Sequence, residues 1–245
     1  MNLQAIAATG WGFQEREHIG EWELRAAGGH TARANCAWPL GDSGLTLRET
    51  LQAVQDWFAA RGHKPRVQTV DGSLLDKEIA ASGFPGADRP ALRQVAPLNP
   101  VLQILEKTAA ADREAEITAH LPEDYFTVYR RGSGIPQFRT ILTTGDAVIR
   151  FAVVRGADGS ALSAGRLAID TATGYAGIAA LATAETARRR GLSRVVLRDL
   201  LSFAADLGAK DTYLEVEEGN TAALALYGSL GYATVHRYHC RTPAT

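Results

Sequence analysis

Three arginines followed by glycine, Arg188-Arg189-Arg190-Gly191-Leu192-Ser193, form the segment of this chain with the clearest chemical meaning. They fall between a predicted strand ending near residue 183 and a predicted helix opening near residue 191. A helix N-terminus presents unpaired backbone N–H groups and the positive end of its dipole. Gly191 lets a bulky anion approach the backbone, and the arginines add charge-assisted contacts. Together these features suit a pyrophosphate; the plainer reading is a solvated basic turn before a surface helix. The lysine-bearing loop GxxxxGK[ST] is absent, so hydrolysis of a nucleoside triphosphate is not indicated. Glu215 lies mid-strand with Leu214 and Val216 on the opposite face, and Glu217 shares its face. Asn220 suits an N-cap, and Tyr227 falls on the short helix behind it. His236 and His239 differ by three on a strand, so they point to opposite faces, and no metal site is expected. Cys36 and Cys240 alone make neither a disulfide scaffold nor a thiolate site, and Cys240 reads as a structural thiol.

The elements that must position these residues follow from periodicity. Alternation from Glu21 to Ala26, then Gly28-Gly29 and a second run to Trp38, predicts a hairpin. Leu47, Leu51, Val54 and Phe58 predict a helix over 46–61 closed by Gly62. A strand at 66–70 and a helix at 74–82 follow. Pro85, Pro90, Pro97 and Pro100 punctuate an extended stretch, which sets an expected boundary between two halves near residue 105. Beyond it we expect helices at 109–120 and 123–130, strands at 148–155, 161–169 and 175–183, and a helix from 192 to 207. A strand at 211–217, a helix at 221–230 and a strand at 233–241 close the chain.

Helix, glycine, strand, helix and Gly-aromatic recur in the same order in both halves, which points to duplication. Gly62 and Gly208 share one sequence offset with Val70 and Val216, and Gly83-Phe84 matches Gly231-Tyr232 after a two-residue slip. The expected fold class is therefore α/β, with a mixed sheet flanked by helices in each lobe. The chain has 245 residues with 26 Lys+Arg against 27 Asp+Glu. It carries no global field to hold a polyanion, so neither nucleic acid nor an anionic membrane is the expected partner. No targeting or membrane-spanning pattern is visible, and the cysteine usage fits the cytoplasm.

Arg188-x-x-Gly191-x-Ser193 resembles the acetyl-CoA loop (Q/R)xxGx(G/A) of the GCN5-related N-acetyltransferases. The run Leu214-Glu215-Val216-Glu217-x-x-Asn220-x-x-Ala223-x-x-Leu226-Tyr227-x-x-x-Gly231-Tyr232 resembles that family's second signature, in order and at the right distance. Ser193 departs from the usual Gly or Ala; its hydroxyl suits a helix cap or a phosphate contact. The resemblance covers residues 125–245 firmly, and the first half looks like the degenerate leading half of tandem members. It implies a scaffold lobe at 1–105 and a catalytic lobe at 106–245. It further implies acetyl-CoA as acyl donor, an amine as acceptor and no metal. Cofactor contacts are implied for Leu181, Ala182, Thr183, Arg188, Arg189, Arg190, Gly191, Leu192, Ser193, Asn220, Ala223 and Tyr227. In related ribosomal-protein alanine acetyltransferases a Glu followed twelve residues later by a Tyr serves as base and acid, and Glu215 and Tyr227 match those positions. Glu217 or a water remains open as the base. An acetyl-CoA-binding module without catalysis is the alternative, and the acceptor and the oligomeric state are not legible.

Overall fold

The computed structural model describes residues 2–131 and 134–244. In chain order the elements are α1 (Leu3–Thr9), β1 (Glu15–Ile19), β2 (Trp22–Ala26), β3 (Ala37–Pro39), α2 (Leu47–Ala59), β4 (Val67–Val70), α3 (Leu74–Ala81), β5 (Gly86–Pro97) and α4 (Leu98–Thr108). They continue with β6 (Glu116–Thr118), α5 (Tyr125–Val128), α6 (Pro136–Thr143), β7 (Val148–Arg155), β8 (Ala161–Asp170), β9 (Tyr175–Thr183), α7 (Leu192–Asp206), β10 (Asp211–Glu217), α8 (Thr221–Gly228) and β11 (Ala233–Thr242).

Among the described residues one 11-stranded sheet runs through both halves, in the order β1-β2-β3-β4-β11-β5-β10-β9-β8-β7-β6. The order is internally symmetric. β4 runs parallel to β3 and β10 parallel to β9, while β11 and β5 pair antiparallel at the centre. Each half gives its closing strand to the other: β5 pairs with β10, and β11 pairs with β4. Separating the halves would break the central ladder. The helix α1, which the sequence did not announce, seals the same junction by packing Ile6 and Ala7 with Trp38, Tyr213 and Cys240. A larger core joins α4, α7 and the strands from β5 to β10, and a smaller one lies under α2 and α3.

Several sequence expectations are corrected here. The proline-punctuated stretch is extended as expected, but as the twelve-residue strand β5 at the centre of the sheet rather than a break between the halves. Pro90 sits where the β5–β11 register slips, between Tyr238 and Cys240, and residues 86–90 have no β10 partner. A bulge is one of the few places where a central strand tolerates a residue without an N–H. The expected boundary near residue 105 falls inside α4. The helix expected at 109–120 is a loop and the edge strand β6, and the helix lies earlier, with Pro100 in its first turn, where a missing N–H is harmless. Pairing with β7 overrides the alanine-rich composition, helped by Asp199, whose Oδ2 accepts from the Ala115 N–H at 2.6 Å. On β2, Glu23 and Arg25 are as buried as Trp22 and Leu24, because Arg25 donates to Glu23 and to the carbonyls of Ala8 and Trp11.

His239 does not stand alone either: its Nε2 lies 2.7 Å from Asp76 Oδ1, and Arg241 and the Thr69 hydroxyl donate to the same carboxylate. That network ties β11 to α3. Among the described residues no helix is long and apolar enough to cross a membrane.

Candidate active site

The site begins where two parallel strands part. β9 and β10 pair only as far as Ile178 and Leu214. Beyond that point β10 keeps β5 and β9 keeps β8, so the edge of β9 from Ala179 to Thr183 has no strand on its β10 side. The register of β9 against β8 slips at the same place, and Ala180 holds φ +52°. A bulge there re-aims the strand. The buried Tyr125 hydroxyl donates to the Ala180 carbonyl at 3.0 Å and pins it. Sequence reasoning missed Tyr125, and nothing in its spacing announces the contact.

A cavity of about 710 Å³ fills the opening. Leu181, Ala182 and Thr183 form one wall, Asn220, Ala223 and Tyr227 another, and Arg188, Arg189, Gly191, Leu192 and Ser193 close one end. The structure thus brings together nearly all the residues proposed from sequence. Arg194, which also lines the cavity, donates to the hydroxyls of Thr108 and Ser229 and so locks the loop to the ends of α4 and α8. Arg190 is exposed and lies outside the wall.

Gly191 is the N-cap of α7 at φ +73°, and no side chain caps that helix. Arg189, two residues earlier, also holds positive φ, at +63°. Left-handed backbone at both positions leaves the Leu192 and Ser193 N–H groups without an acceptor among the described residues, while the Arg194 N–H donates to the Gly191 carbonyl at 2.9 Å, an arrangement that suits an anion. Ser193 does not cap the helix. Asn220 caps α8 by accepting from the Ala223 N–H at 3.2 Å while it lines the cavity.

Tyr227 is 8% exposed, with its ring edge-on to Tyr232. Its hydroxyl takes no hydrogen-bond partner among the described residues, and burial pushes the phenol up to about 12. It is fully protonated at neutral pH.

Glu215, the residue expected as base, is placed outside this cavity, against a small gap that Ile178 and Ala179 of β9 also line. It stands directly across the ladder from Arg93 of β5. Its carboxylate accepts from Arg93 at 2.8 Å and from the Trp11 indole at 2.9 Å, and forms an ion pair with Arg33 at 3.0 Å. Burial alone would raise it, but the two guanidiniums and these hydrogen bonds hold it below the usual carboxylate range. It lines no part of the cavity, and a carboxylate so held is a poor proton acceptor.

Glu217, two residues on, opens onto a second cavity of about 710 Å³ where the two halves meet. It is half-exposed and paired with Arg131, which lowers it from its ordinary value. The β10 end and the following turn contribute to both cavities, Glu217 to Gly219 lining one and Asn220 the other.

The symmetry-related position in the first half is closed. The α2 N-terminus is occupied by its own capping box: Thr46 Oγ1 accepts from the Glu49 N–H and Glu49 Oε2 accepts from the Thr46 N–H. Ile79, the sequence counterpart of Tyr227, is fully buried in the core of that half.

Comparison with known proteins agrees with this geometry. A family model described as "Probable histone acetyltransferase Rv0428c C-terminal" matches residues 1–241. The "Uncharacterized N-acetyltransferase YobR" of Bacillus subtilis is 24% identical over 260 residues, covering 98% of this chain and 96% of its own. Among solved structures, a GCN5-related N-acetyltransferase from Kribbella flavida superposes with a TM-score of 0.71 at 16% identity, over 99% of this chain and 96% of that one. A tandem GNAT protein from the clavulanic acid biosynthesis pathway does so with a TM-score of 0.64 at 15% identity, over 91% and 78%. With the splayed strands, the uncapped glycine loop and a match along almost its whole length, the chain belongs to the family described as "Probable histone acetyltransferase Rv0428c C-terminal", and it shares its fold with solved GCN5-related N-acetyltransferases.

Proposed function

We propose that the protein transfers the acetyl group of acetyl-CoA to an amine by direct attack, with cofactor in the first cavity and acceptor in the second. The observation that carries this reading is the parting of β9 and β10 beside an uncapped α7 N-terminus, which offers an extended arm a free strand edge and its pyrophosphate a set of N–H donors. The amine nitrogen attacks the thioester carbon, the C–S bond breaks, and its electron pair goes to sulfur. Tyr227 donates its proton toward the thiolate, and the nitrogen loses its own proton to solvent at the mouth lined by Glu217. An unpaired N–H on the β9 edge polarises the carbonyl. Release of CoA by the purified chain, rising with added amine, tests the reading; a non-catalytic module would bind acetyl-CoA and release nothing.

Two expectations follow for the cofactor. One acetyl-CoA should bind per chain in a calorimetric titration, because Thr46 and Glu49 fill the N-terminus of α2, the first-half counterpart of the α7 terminus; two would contradict the assignment of that half as scaffold. Gly191→Val should weaken acetyl-CoA binding by about 10-fold, because holding φ +73° costs an L-residue roughly 1–2 kcal/mol. The exposed Arg190→Ala should cost less. Equal or reversed losses would reduce the loop to a cluster of charges.

A further inference from the structure

The second cavity has a chemistry of its own. Its wall carries three arginines, Arg33, Arg89 and Arg131, against two glutamates, Glu217 and Glu218. Arg237, outside the cavity, already binds Glu218, which leaves Glu217, paired with Arg131, as the carboxylate at its mouth. Arg33 commits its Nε to the Tyr238 hydroxyl and to Glu215. Arg89 makes no ion pair among the described residues. It is exposed and holds φ +58°, beside Pro90 at the bulge of β5. A non-glycine residue kept in that conformation is a strained element, and strain of this kind collects at ligand sites.

Gln68 adds a second, independent sign. It lines the same cavity and is 1% exposed. Its Oε1 accepts from Arg93 at 3.2 Å, which fixes the amide orientation, and its Nε2 donor has no acceptor among the described residues. Buried donors are almost always satisfied, so an oxygen supplied by a ligand is the natural partner. In the β5–β10 ladder Ala91 stands opposite Glu217, and Arg89 lies two residues further along, roughly 7 Å at the rise of a strand. One end of the cavity therefore suits an ammonium and the other a carboxylate, with Ile135, Phe138 and Pro90 supplying apolar wall between them.

We infer that the acceptor is an amine that also carries a carboxylate, an amino acid or a small derivative of one, and that Arg89 selects the carboxylate. This rests on the acyl-transfer reading above. A cavity of about 710 Å³ is of small-molecule size, and its arginines repel an acceptor rich in positive charge.

The test pairs amines that differ only in the carboxylate: L-phenylalanine with phenethylamine, and L-lysine with cadaverine, beside a lysine-rich peptide. In CoA-release assays each amino acid should exceed its decarboxylated partner in kcat/KM by about 10- to 100-fold, the range of a charge-assisted hydrogen bond. Arg89→Ala should bring that ratio toward unity with a melting temperature near that of the parent, and Arg89→Lys should restore part of it. Calorimetry with L-phenylalanine gives a readout independent of turnover, with binding expected in the parent and lost in Arg89→Ala. A ratio near unity in the parent, preference for the peptide, or a ratio unchanged in Arg89→Ala overturns the inference and leaves acyl transfer standing. Binding of L-phenylalanine that depends on Arg89, with no amine promoting CoA release, overturns acyl transfer and leaves the aminocarboxylate site. Failure of both amino acids to bind or react also overturns the inference.

Discussion

Tyr227→Phe is expected to slow turnover by about 10² to 10³, the usual span for removing an acid catalyst, while acetyl-CoA affinity and folding stay near those of the parent. The substitution removes one oxygen that bonds to nothing among the described residues and keeps the ring against Tyr232. Little stability is at stake. With the phenol pushed up to about 12, its proton is present throughout the working range and is lost only as pH rises through that value. An ordinary tyrosine would begin to lose activity near 10. The pH profile of kcat should therefore show no falling limb from this residue between about 8 and 10. If the ring is merely core, the Phe variant will turn over as fast as the parent, and solvent must protonate the thiolate.

Glu215→Ala is expected to act oppositely, on stability first. Its removal leaves Arg93, 1% exposed, and Arg33 without their carboxylate, and breaking a buried pair of this kind costs about 3–5 kcal/mol. For a chain of this length that is a fall in Tm on the order of 10 °C. The isosteric Glu215→Gln should lose less stability and retain turnover per folded molecule. A base would behave in reverse, with Glu215→Gln folding normally and turning over slowly. The pH dependence has a definite sign. Because the folded carboxyl lies below its ordinary value of 4.5, its contribution is present above that value and is lost as pH falls through the folded one. Melting curves from pH 7 downward should show the parent losing its advantage over Glu215→Gln only under acid conditions.

The two residues show what a sequence discloses and what it withholds. The cofactor cavity was legible because its parts are local: a glycine at a helix start, a strand just before it, and an Asn-capped helix carrying Tyr227. Alternation along β10 puts Glu215 and Glu217 on one face, but cannot say what stands opposite. Arg93 arrives from the strand across the ladder, and Arg33 and Trp11 from the other half of the chain. The repeat was legible in its glycines, whereas the exchange of closing strands was not. Prolines around β5 read as a boundary because a bulge that accommodates Pro90 is a property of its pairing with β11, which lies at the far end of the sequence. The second cavity depends on the same exchange, since its walls come from β4, β5, β10 and β11 together.

Acetyl-CoA labelled in its acetyl group, incubated with the protein with and without an amine that promotes CoA release, tests direct transfer most closely. The label should pass to the amine only when the amine is present, and the protein itself should stay unlabelled throughout. Label that remains on CoA despite the amine, or that accumulates on the protein before the amine is added, would contradict direct transfer.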